Sequence, residues 1–274
     1  QQVLFAKQLL HQTALPVADI ALHAGFHSVR RFQDEFKQQL KLTPSQIRGH
    51  RMSHSSPLLT LELAYRPPMA WQQLLQFWQA RTLSGMEWQH GNCYGRTFAI
   101  EHRQGWFEVR PDPVKTVLQL TLHWPYPDGL SIVISKLRRL LDLDADMQQI
   151  DQHLSGFFQE SHIQGLRIPG VWDRWEAAVR AVLGQQVSVA GARAQLNRLC
   201  AELGEPIPAL DTPDGVAMRL FPTPSAVAHS DLAMIKVPQA RRETLKALAQ
   251  AVLDKPDADP SEWLCLKGIG PWTI

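Results

Sequence analysis

The sequence predicts a multidomain α+β protein: a helical helix-turn-helix, then an antiparallel-sheet α+β domain, then a mostly α-helical domain. Two changes in hydrophobic period support this division. Apolar residues recur at helical spacing over residues 3–36, alternate with polar ones between residues 59 and 122, and return to helical spacing from about residue 146. The chain has 274 residues, of which 45% are hydrophobic, so it can bury about two substantial cores.

The charge is unevenly distributed along the chain. The net charge is +2, but residues 1–60 contain seven Lys or Arg against three Asp or Glu, which leaves +4 there and −2 on the remainder. A basic segment joined to a nearly neutral body is typical of a nucleic-acid-binding module attached to another domain. The alternative interpretation is a solvated basic face.

Cysteine spacing and hydropathy exclude several protein classes. Cys93, Cys200 and Cys265 are odd in number and far apart, so we expect neither a disulfide framework nor a zinc site. No apolar run approaches the roughly 18 residues that span a bilayer, and no secretion leader is recognised. We therefore expect a cytoplasmic protein.

The N-terminal residues predict three helices with a tight turn. Helical spacing covers residues 3–12 and 17–24, and Gly25 supplies the turn because glycine takes positive φ without steric cost. Ser28 is a suitable N-cap for a third helix, on which Phe32 and Phe36 share one face. This layout is a helix-turn-helix, whose third helix can lie in the major groove of DNA.

The segment 21–48 combines a Gly-Phe turn at 25–26, a Phe-x-x-x-Phe-Lys helix at 32–37 and a Leu-Thr-Pro-Ser run at 42–45. Together these resemble the second helix-turn-helix of AraC-type transcription regulators. That family carries two such units, so we interpret the sequence as a fragment truncated at its N-terminus. The residues expected to read DNA are exposed at the start of the third helix: Ser28, Val29, Arg30, Arg31 and Gln33. Simple solvation remains the alternative for the two arginines.

The period changes after a polar, breaker-rich linker at residues 51–58. Leu59, Leu61 and Leu63 alternate with polar residues, which predicts a half-buried strand. A helix over 71–78, strands at 96–101, 106–110 and 116–122, and a helix over 131–141 complete the expected sheet domain. The predicted domains are therefore residues 1–50, 59–145 and 146–274, joined at the first boundary by the linker.

The last domain is predicted to be helical and to end in a tight hairpin. A helix breaks at residues 184–187, and Ser188 caps the next one. Near the end, Gly268 and Gly270 flank a single apolar residue, Ile269, and Pro271 opens a further helix. Two glycines around an apolar plug allow backbone N–H groups and a helix N-terminus to point at an anion. An ordinary helix–turn–helix corner is the alternative.

Five stretches in residues 59–274 match one family in order and spacing: Tyr65–Pro68 with Trp71 and Phe77, Leu166–Gly170, Ala181–Val189, Phe221–Pro224 and Leu266–Thr273. They resemble 3-methyladenine DNA glycosylase II of the helix-hairpin-helix superfamily. With the AraC-type part, the layout is similar to Ada-type bifunctional proteins of the bacterial alkylation response. The resemblance implies base-excision repair, in which an extruded alkylpurine such as 3-methyladenine loses its N-glycosidic bond by hydrolysis.

The resemblance also implies roles for particular residues. Trp272 and Phe77 would line the pocket for the cationic alkylated base, although plain core packing is the alternative for Phe77. A DNA phosphate would lie on the hairpin residues Lys267, Gly268, Ile269, Gly270 and Thr273. The break at Gln185, Gln186 and Val187 would enter the minor groove and fill the vacated stack, unless it is a plain helix–loop–helix break.

The position of Trp272 indicates the reaction type. Relatives that also cleave the sugar–phosphate backbone carry a Schiff-base lysine there, so the resemblance implies a monofunctional hydrolase that uses water. The catalytic aspartate of the family would lie beyond Ile274, so we expect no catalytic residue within the chain and no activity from it alone. The aspartates nearest the hairpin are expected to be caps or loop residues: Asp211, Asp214, Asp231, Asp254, Asp257 and Asp259.

Double-stranded DNA is the expected partner, at alkylated sites and at a promoter, with RNA polymerase as a further candidate. No metal or cofactor is expected within the chain, except a monovalent cation bridging hairpin carbonyls and a DNA phosphate. Zinc would belong to a methyl-accepting domain upstream. The alternative function is a sequence-specific regulator of the alkylation response with a non-catalytic glycosylase-like half. Action on oxidised guanine is disfavoured because Trp272 replaces the lysine.

Overall fold

The computed structural model describes residues 2–48, 58–126, 128–158, 163–208 and 216–273. The chain forms two compact units: unit 1 comprises residues 1–71 and 100–169, and unit 2 comprises residues 72–99 and 170–274. The expected linker, apart from Leu58, and the expected loop residues Asp211 and Asp214 lie outside the described residues.

The described helices are α1 Gln2–Gln12, α2 Val17–His23, α3 Val29–Leu40, α4 Pro44–Arg48, α5 Trp71–Gln79, α6 Leu130–Leu140, α7 Met147–Phe158, α8 Arg174–Gly184, α9 Val189–Leu203, α10 Pro224–His229 and α11 Gln239–Asp254. The strands are β1 Leu58–Ala64, β2 Glu87–His90, β3 Cys93–Ile100, β4 Arg103–Pro111, β5 Val117–His123, β6 Pro206–Ile207 and β7 Met218–Arg219. A short 3₁₀ helix covers Pro260–Cys265. No helix in these described ranges has the length and apolar character needed to cross a bilayer.

The helix-turn-helix in unit 1 forms as its sequence predicts. Ser28 caps α3 by accepting a hydrogen bond from the Arg31 N–H, and Gly25 takes φ +84° in the turn. The rings of Phe26 and Phe36 each lie 5.2 Å from the ring of Phe32, and all three side chains are buried. These rings hold α2 and α3 together, so they form a core and are not available to stack on bases.

Strands β1, β5 and β4 lie side by side in unit 1 and pair antiparallel. Leu59 pairs with Leu122, Leu61 with Leu120, and Leu63 with Leu118. These six side chains are buried, which confirms the alternation that predicted β1 and β5. Because side chains alternate across a strand, the leucines share one face.

Helix α1 contacts the edge of β1 that faces away from β5. Gln8 Nε2 donates to the Glu62 carbonyl at 2.9 Å, and Gln12 Oε1 accepts from the Glu62 N–H at 3.0 Å. Gln8 Nε2 also lies 3.2 Å from Gln12 Oε1. Two glutamines one helical turn apart therefore satisfy both backbone groups of an edge-strand residue.

Unit 2 combines the β2–β3 hairpin with α5 and a group of helices around one apolar core. The buried core side chains include Trp175, Val179, Leu196, Leu245, Leu248, Trp263 and Ile269. The sequence did not predict β2, in which Trp88 is the one apolar residue, or the two-residue strands β6 and β7. The segment from residue 146 is thus not wholly helical. Strands β6 and β7 were missed because two-residue strands are too short to show a hydrophobic period.

Buried charges connect the β2–β3 hairpin to α8 within unit 2. Arg96 Nη2 lies 2.6 Å from Glu176 Oε2. Arg180 Nη2 lies 2.8 Å from Glu176 Oε1 and 3.0 Å from Glu87 Oε2. The Tyr94 hydroxyl donates to Glu87 Oε1 at 3.0 Å. Each buried carboxylate is thus both paired and hydrogen-bonded, as burial of charge requires.

Candidate nucleic-acid interface

The C-terminal hairpin is built from two short turns around a buried isoleucine. The Ile269 N–H donates to the Leu266 carbonyl at 3.1 Å, and the Thr273 N–H donates to the Gly270 carbonyl at 2.9 Å. Ile269 is buried in the core of unit 2, whereas Lys267 and Gly268 are exposed. The apolar plug anchors the hairpin and leaves its backbone at the surface, where an anion can approach.

Gly268 is required by both its conformation and its surroundings. Its φ is +90°, and an added Cβ would lie 2.4 Å from Thr244 Oγ1 on α11. That hydroxyl lies 2.9 Å from the Lys267 carbonyl and 2.9 Å from the Ala240 carbonyl of its own helix, so its single proton serves both acceptors. Helix α11 therefore supports the hairpin from beneath, a role for Thr244 that the sequence did not reveal because the two positions are 23 residues apart.

The short helix before the hairpin begins with Asp259 as its N-cap and Pro260 in its first turn, and Glu262 completes a capping box that was not predicted from the sequence. The Asp259 carboxylate accepts from the hydroxyl and the N–H of Ser261, and these hydrogen bonds hold its pKa below the usual value. The Asp259 carboxylate is therefore ionised and caps the helix, in agreement with the expectation that Asp259 has a structural role.

The elbow between α8 and α9 lies against the hairpin. Gln185 Nε2 donates to the Gly268 carbonyl at 2.9 Å and to Thr273 Oγ1 at 3.0 Å. The next residue, Gln186, is exposed with φ +54°, and Val187 is 46% exposed. Ser188 then caps α9 by accepting from the Gly191 N–H. Of the three residues expected to enter the minor groove, two are exposed and Gln185 is directed to the hairpin.

The two aromatic residues expected to form a base pocket are both accessible. Trp272 is fully exposed, and Phe77 on α5 is 40% exposed, whereas Trp71 and Trp78 on the same helix are buried. The Arg81 guanidinium lies 3.8 Å from the centre of the Phe77 ring and donates to the Phe77 carbonyl at 3.0 Å. A cation thus already covers one face of Phe77.

Three arginines hold the C-terminal end of α5. Besides Arg81, Arg180 on α8 donates to the Arg81 carbonyl and Arg193 on α9 donates to the Gln79 carbonyl, both at 3.3 Å. The bonds to the Phe77 and Gln79 carbonyls satisfy groups that a helix end leaves without partners, and Arg180 binds the chain two residues beyond α5. The same three arginines line a cavity of about 180 Å³, whose wall includes Val187 of the elbow. Arg81 could have been found from the sequence, since it follows Phe77 by four positions.

The DNA-reading candidates at the start of α3 differ in their surroundings. Arg30 and Gln33 are exposed, and Val29 is half-buried. Arg31 Nε lies 2.8 Å from Glu35 Oε1, one turn further along α3. Ser28 uses its hydroxyl as the helix cap.

Two family models match the chain. A helix-turn-helix domain matches residues 1–50, and the AlkA N-terminal domain matches residues 60–173.

Two relatives span most or all of the chain. The chain is 32% identical over its whole length to the probable bifunctional transcriptional activator/DNA repair enzyme AlkA of Mycobacterium tuberculosis, and it spans 58% of that protein's length. It is 31% identical to DNA-3-methyladenine glycosylase 2 of Escherichia coli, with 77% of both chains covered.

Solved structures show the same fold. The 3-methyladenine DNA-glycosylase from Archaeoglobus fulgidus matches with a TM-score of 0.60 and 17% identity, covering 78% of this chain and 76% of that one. MBOgg1 in complex with a low affinity DNA ligand matches with a TM-score of 0.52 and 16% identity, covering 80% and 74%. At such identities the similarity concerns the fold alone, and it confirms the predicted fold class.

Proposed function

Since the chain belongs to the DNA-3-methyladenine glycosylase 2 family, as its motifs predict, we propose that its protein repairs alkylated DNA by base excision. The proposed reaction is hydrolysis of the N-glycosidic bond of alkylpurines such as 3-methyladenine. The observation that carries the proposal is the direct contact between the hairpin and the α8–α9 elbow through Gln185. A phosphate-binding turn beside an exposed elbow suits a protein that grips one strand and fills the gap left by a flipped base.

Double-stranded DNA is the proposed partner of this surface. The exposed backbone at Lys267 and Gly268, with the Lys267 charge, would receive a phosphate of the damaged strand. Gly270 and Thr273 would complete the turn around it, and Ile269 would anchor it from the core. A monovalent cation between hairpin carbonyls and the phosphate remains part of the proposal.

The base would be held by aromatic faces. Alkylation makes the purine cationic, so it is attracted to the π-face of Trp272, which is fully exposed. Phe77 would supply a second aromatic ring for the base, on the face that Arg81 does not cover. Gln186 and Val187 would enter the minor groove, where Val187 provides the apolar surface.

The proposed mechanism is monofunctional. Trp272 cannot form a Schiff base with the sugar, so water would be the nucleophile. The aspartate that would stabilise the cationic sugar and orient this water is proposed to follow residue 274.

Release of 3-methyladenine from alkylated duplex DNA by the complete protein tests the proposal. We expect Trp272→Ala to lower the rate of base release at least tenfold, because the cationic base loses its stacking partner. Trp272→Phe, which keeps an aromatic face, should retain most of the rate. Chromatography of the released bases measures both. Because Trp272 is fully exposed, neither substitution should change the melting temperature. Unchanged release by the alanine variant would contradict the assignment.

The helix-turn-helix supports a second function in the same protein, transcription regulation through promoter DNA, with RNA polymerase as a proposed partner. Arg30 and Gln33 are exposed at the start of α3 and can reach base edges. We expect Arg30→Gln to weaken binding to the protein's own promoter by about ten- to a hundredfold in gel-shift titrations, with base release unchanged. If wild-type protein binds this promoter but releases no base, the non-catalytic regulator is the correct interpretation.

A further inference from the structure

The Gln185 side chain uses both of its amide hydrogens within unit 2. The Gly268 carbonyl can only accept, so the atom that faces it at 2.9 Å must be the amide nitrogen. The second hydrogen then goes to Thr273 Oγ1 at 3.0 Å. Gln185 is thus bound to both ends of the hairpin and has no donor left for DNA.

This arrangement determines what the Thr273 hydroxyl can do. A threonine hydroxyl has two acceptor lone pairs and one proton to donate. Gln185 occupies a lone pair, and among the described residues the hydroxyl makes no hydrogen bond in which it donates its proton. A hydroxyl that accepts one hydrogen bond becomes a better donor in the next, because hydrogen bonds in a chain polarise one another.

The backbone conformation of the elbow agrees with the placement of the Gln185 side chain on the hairpin. Gln185 remains extended at φ −62° and ψ 124°, and the turn is made at Gln186, whose φ of +54° is uncommon for a residue other than glycine. With Gln185 held on the hairpin, the exposed part of the elbow begins at Gln186.

We propose that Gln185 is a positioning residue: it fixes the hairpin to the elbow and orients the Thr273 hydroxyl as a donor to a DNA phosphate. The phosphate part of this inference rests on the proposed function, which supplies the ligand. Gln185 itself makes no contact with the minor groove, so only Gln186 and Val187 remain as groove residues.

The first test uses the protein without DNA. Gln185→Met keeps the length of the side chain and removes both donors. We expect backbone amides in residues 266–273 to exchange with deuterium about three- to tenfold faster, because one or two net hydrogen bonds are lost. Gln250→Met is the matched control, since Gln250 is exposed on α11 and its amide donates to Asp254 of the same helix, at 2.8 Å. Unchanged exchange in the Gln185 variant would overturn the positioning role.

The second test is a double-mutant cycle with a short duplex that contains an abasic-site analogue, at low salt. Gln185→Met and Thr273→Val should each weaken binding about three- to tenfold, and the double variant should bind like the single ones. Multiplicative losses would mean that Gln185 contacts DNA by itself, and the proposal would be wrong. If the wild-type protein failed to bind the duplex, the proposed function and the phosphate role would both fail, while the exchange experiment would still decide whether Gln185 holds the hairpin.

Discussion

Glu176 on α8 has a carboxylate that is almost fully buried and lies between the guanidinium groups of Arg96 and Arg180. Burial alone would raise the pKa of this carboxyl, but the two positive charges and their hydrogen bonds outweigh it and lower the pKa to about 2. The folded protein therefore binds a proton at Glu176 less readily than the unfolded chain does. This difference makes stability depend on pH.

We predict that the free energy of unfolding falls as the pH is lowered from about 4.5 toward 2, the interval between the ordinary pKa of Glu176 and its value in the fold. Above that interval the ionised Glu176 carboxylate makes its full contribution to the free energy of unfolding. Glu176→Gln should flatten the pH dependence and cost about 3–5 kcal/mol at pH 7, because buried Arg96 loses its closest carboxylate and keeps only Glu87 Oε1, 3.7 Å from its Nη1. Urea unfolding at pH 7, 4 and 3 measures this, with exposed Glu243→Gln as the control. If the free energy of unfolding depended on pH in the same way in the Glu176→Gln and Glu243→Gln variants, this prediction would be wrong.

At the scale of secondary structure, the edge strand β1 is protected by a helix and not by another strand. An open sheet edge presents unpaired N–H and C=O groups that other chains can bind. Gln8 and Gln12 of α1 cover these groups at Glu62. Because α1 also packs against α2, α3 and α4, the contact joins the helix-turn-helix to the sheet of unit 1.

We predict that Gln8→Ala combined with Gln12→Ala exposes the Glu62 amide to exchange and costs about 1–3 kcal/mol of unfolding free energy, since two backbone groups lose their partners. Hydrogen exchange followed by mass spectrometry on the β1 peptide checks this. Gln38→Ala with Gln39→Ala, exposed on α3, is the matched control. Equal protection of β1 in both double variants would show that the glutamines are dispensable.

At the scale of the whole molecule, the chain joins two elements that we propose to bind DNA. The helix-turn-helix carries the excess positive charge of residues 1–60, whereas the hairpin, the elbow and the aromatic residues lie in unit 2. Under the proposed function, promoter binding and recognition of a damaged base would therefore depend on different residues. This separation explains why Arg30→Gln and Trp272→Ala are expected to remove different activities of one protein.

The sequence by itself determined the features that depend on neighbours along the chain. Caps at Ser28, Ser188 and Asp259, the alternating leucines of β1, and the isoleucine plug of the hairpin all follow from local spacing and backbone preference. Such features recur with a period or a motif, so they can be identified without a partner.

Only the tertiary structure decided which polar side chains meet. Gln185 and Gly268 are 83 residues apart, Arg96 and Glu176 are 80 apart, and Gln8 and Glu62 are 54 apart. From the sequence, Gln185 was expected to contact DNA, because it stands in an elbow that resembles a minor-groove wedge. A single long-range hydrogen bond leaves no period in the sequence, and its partner becomes known only when packing of the apolar faces brings distant segments together.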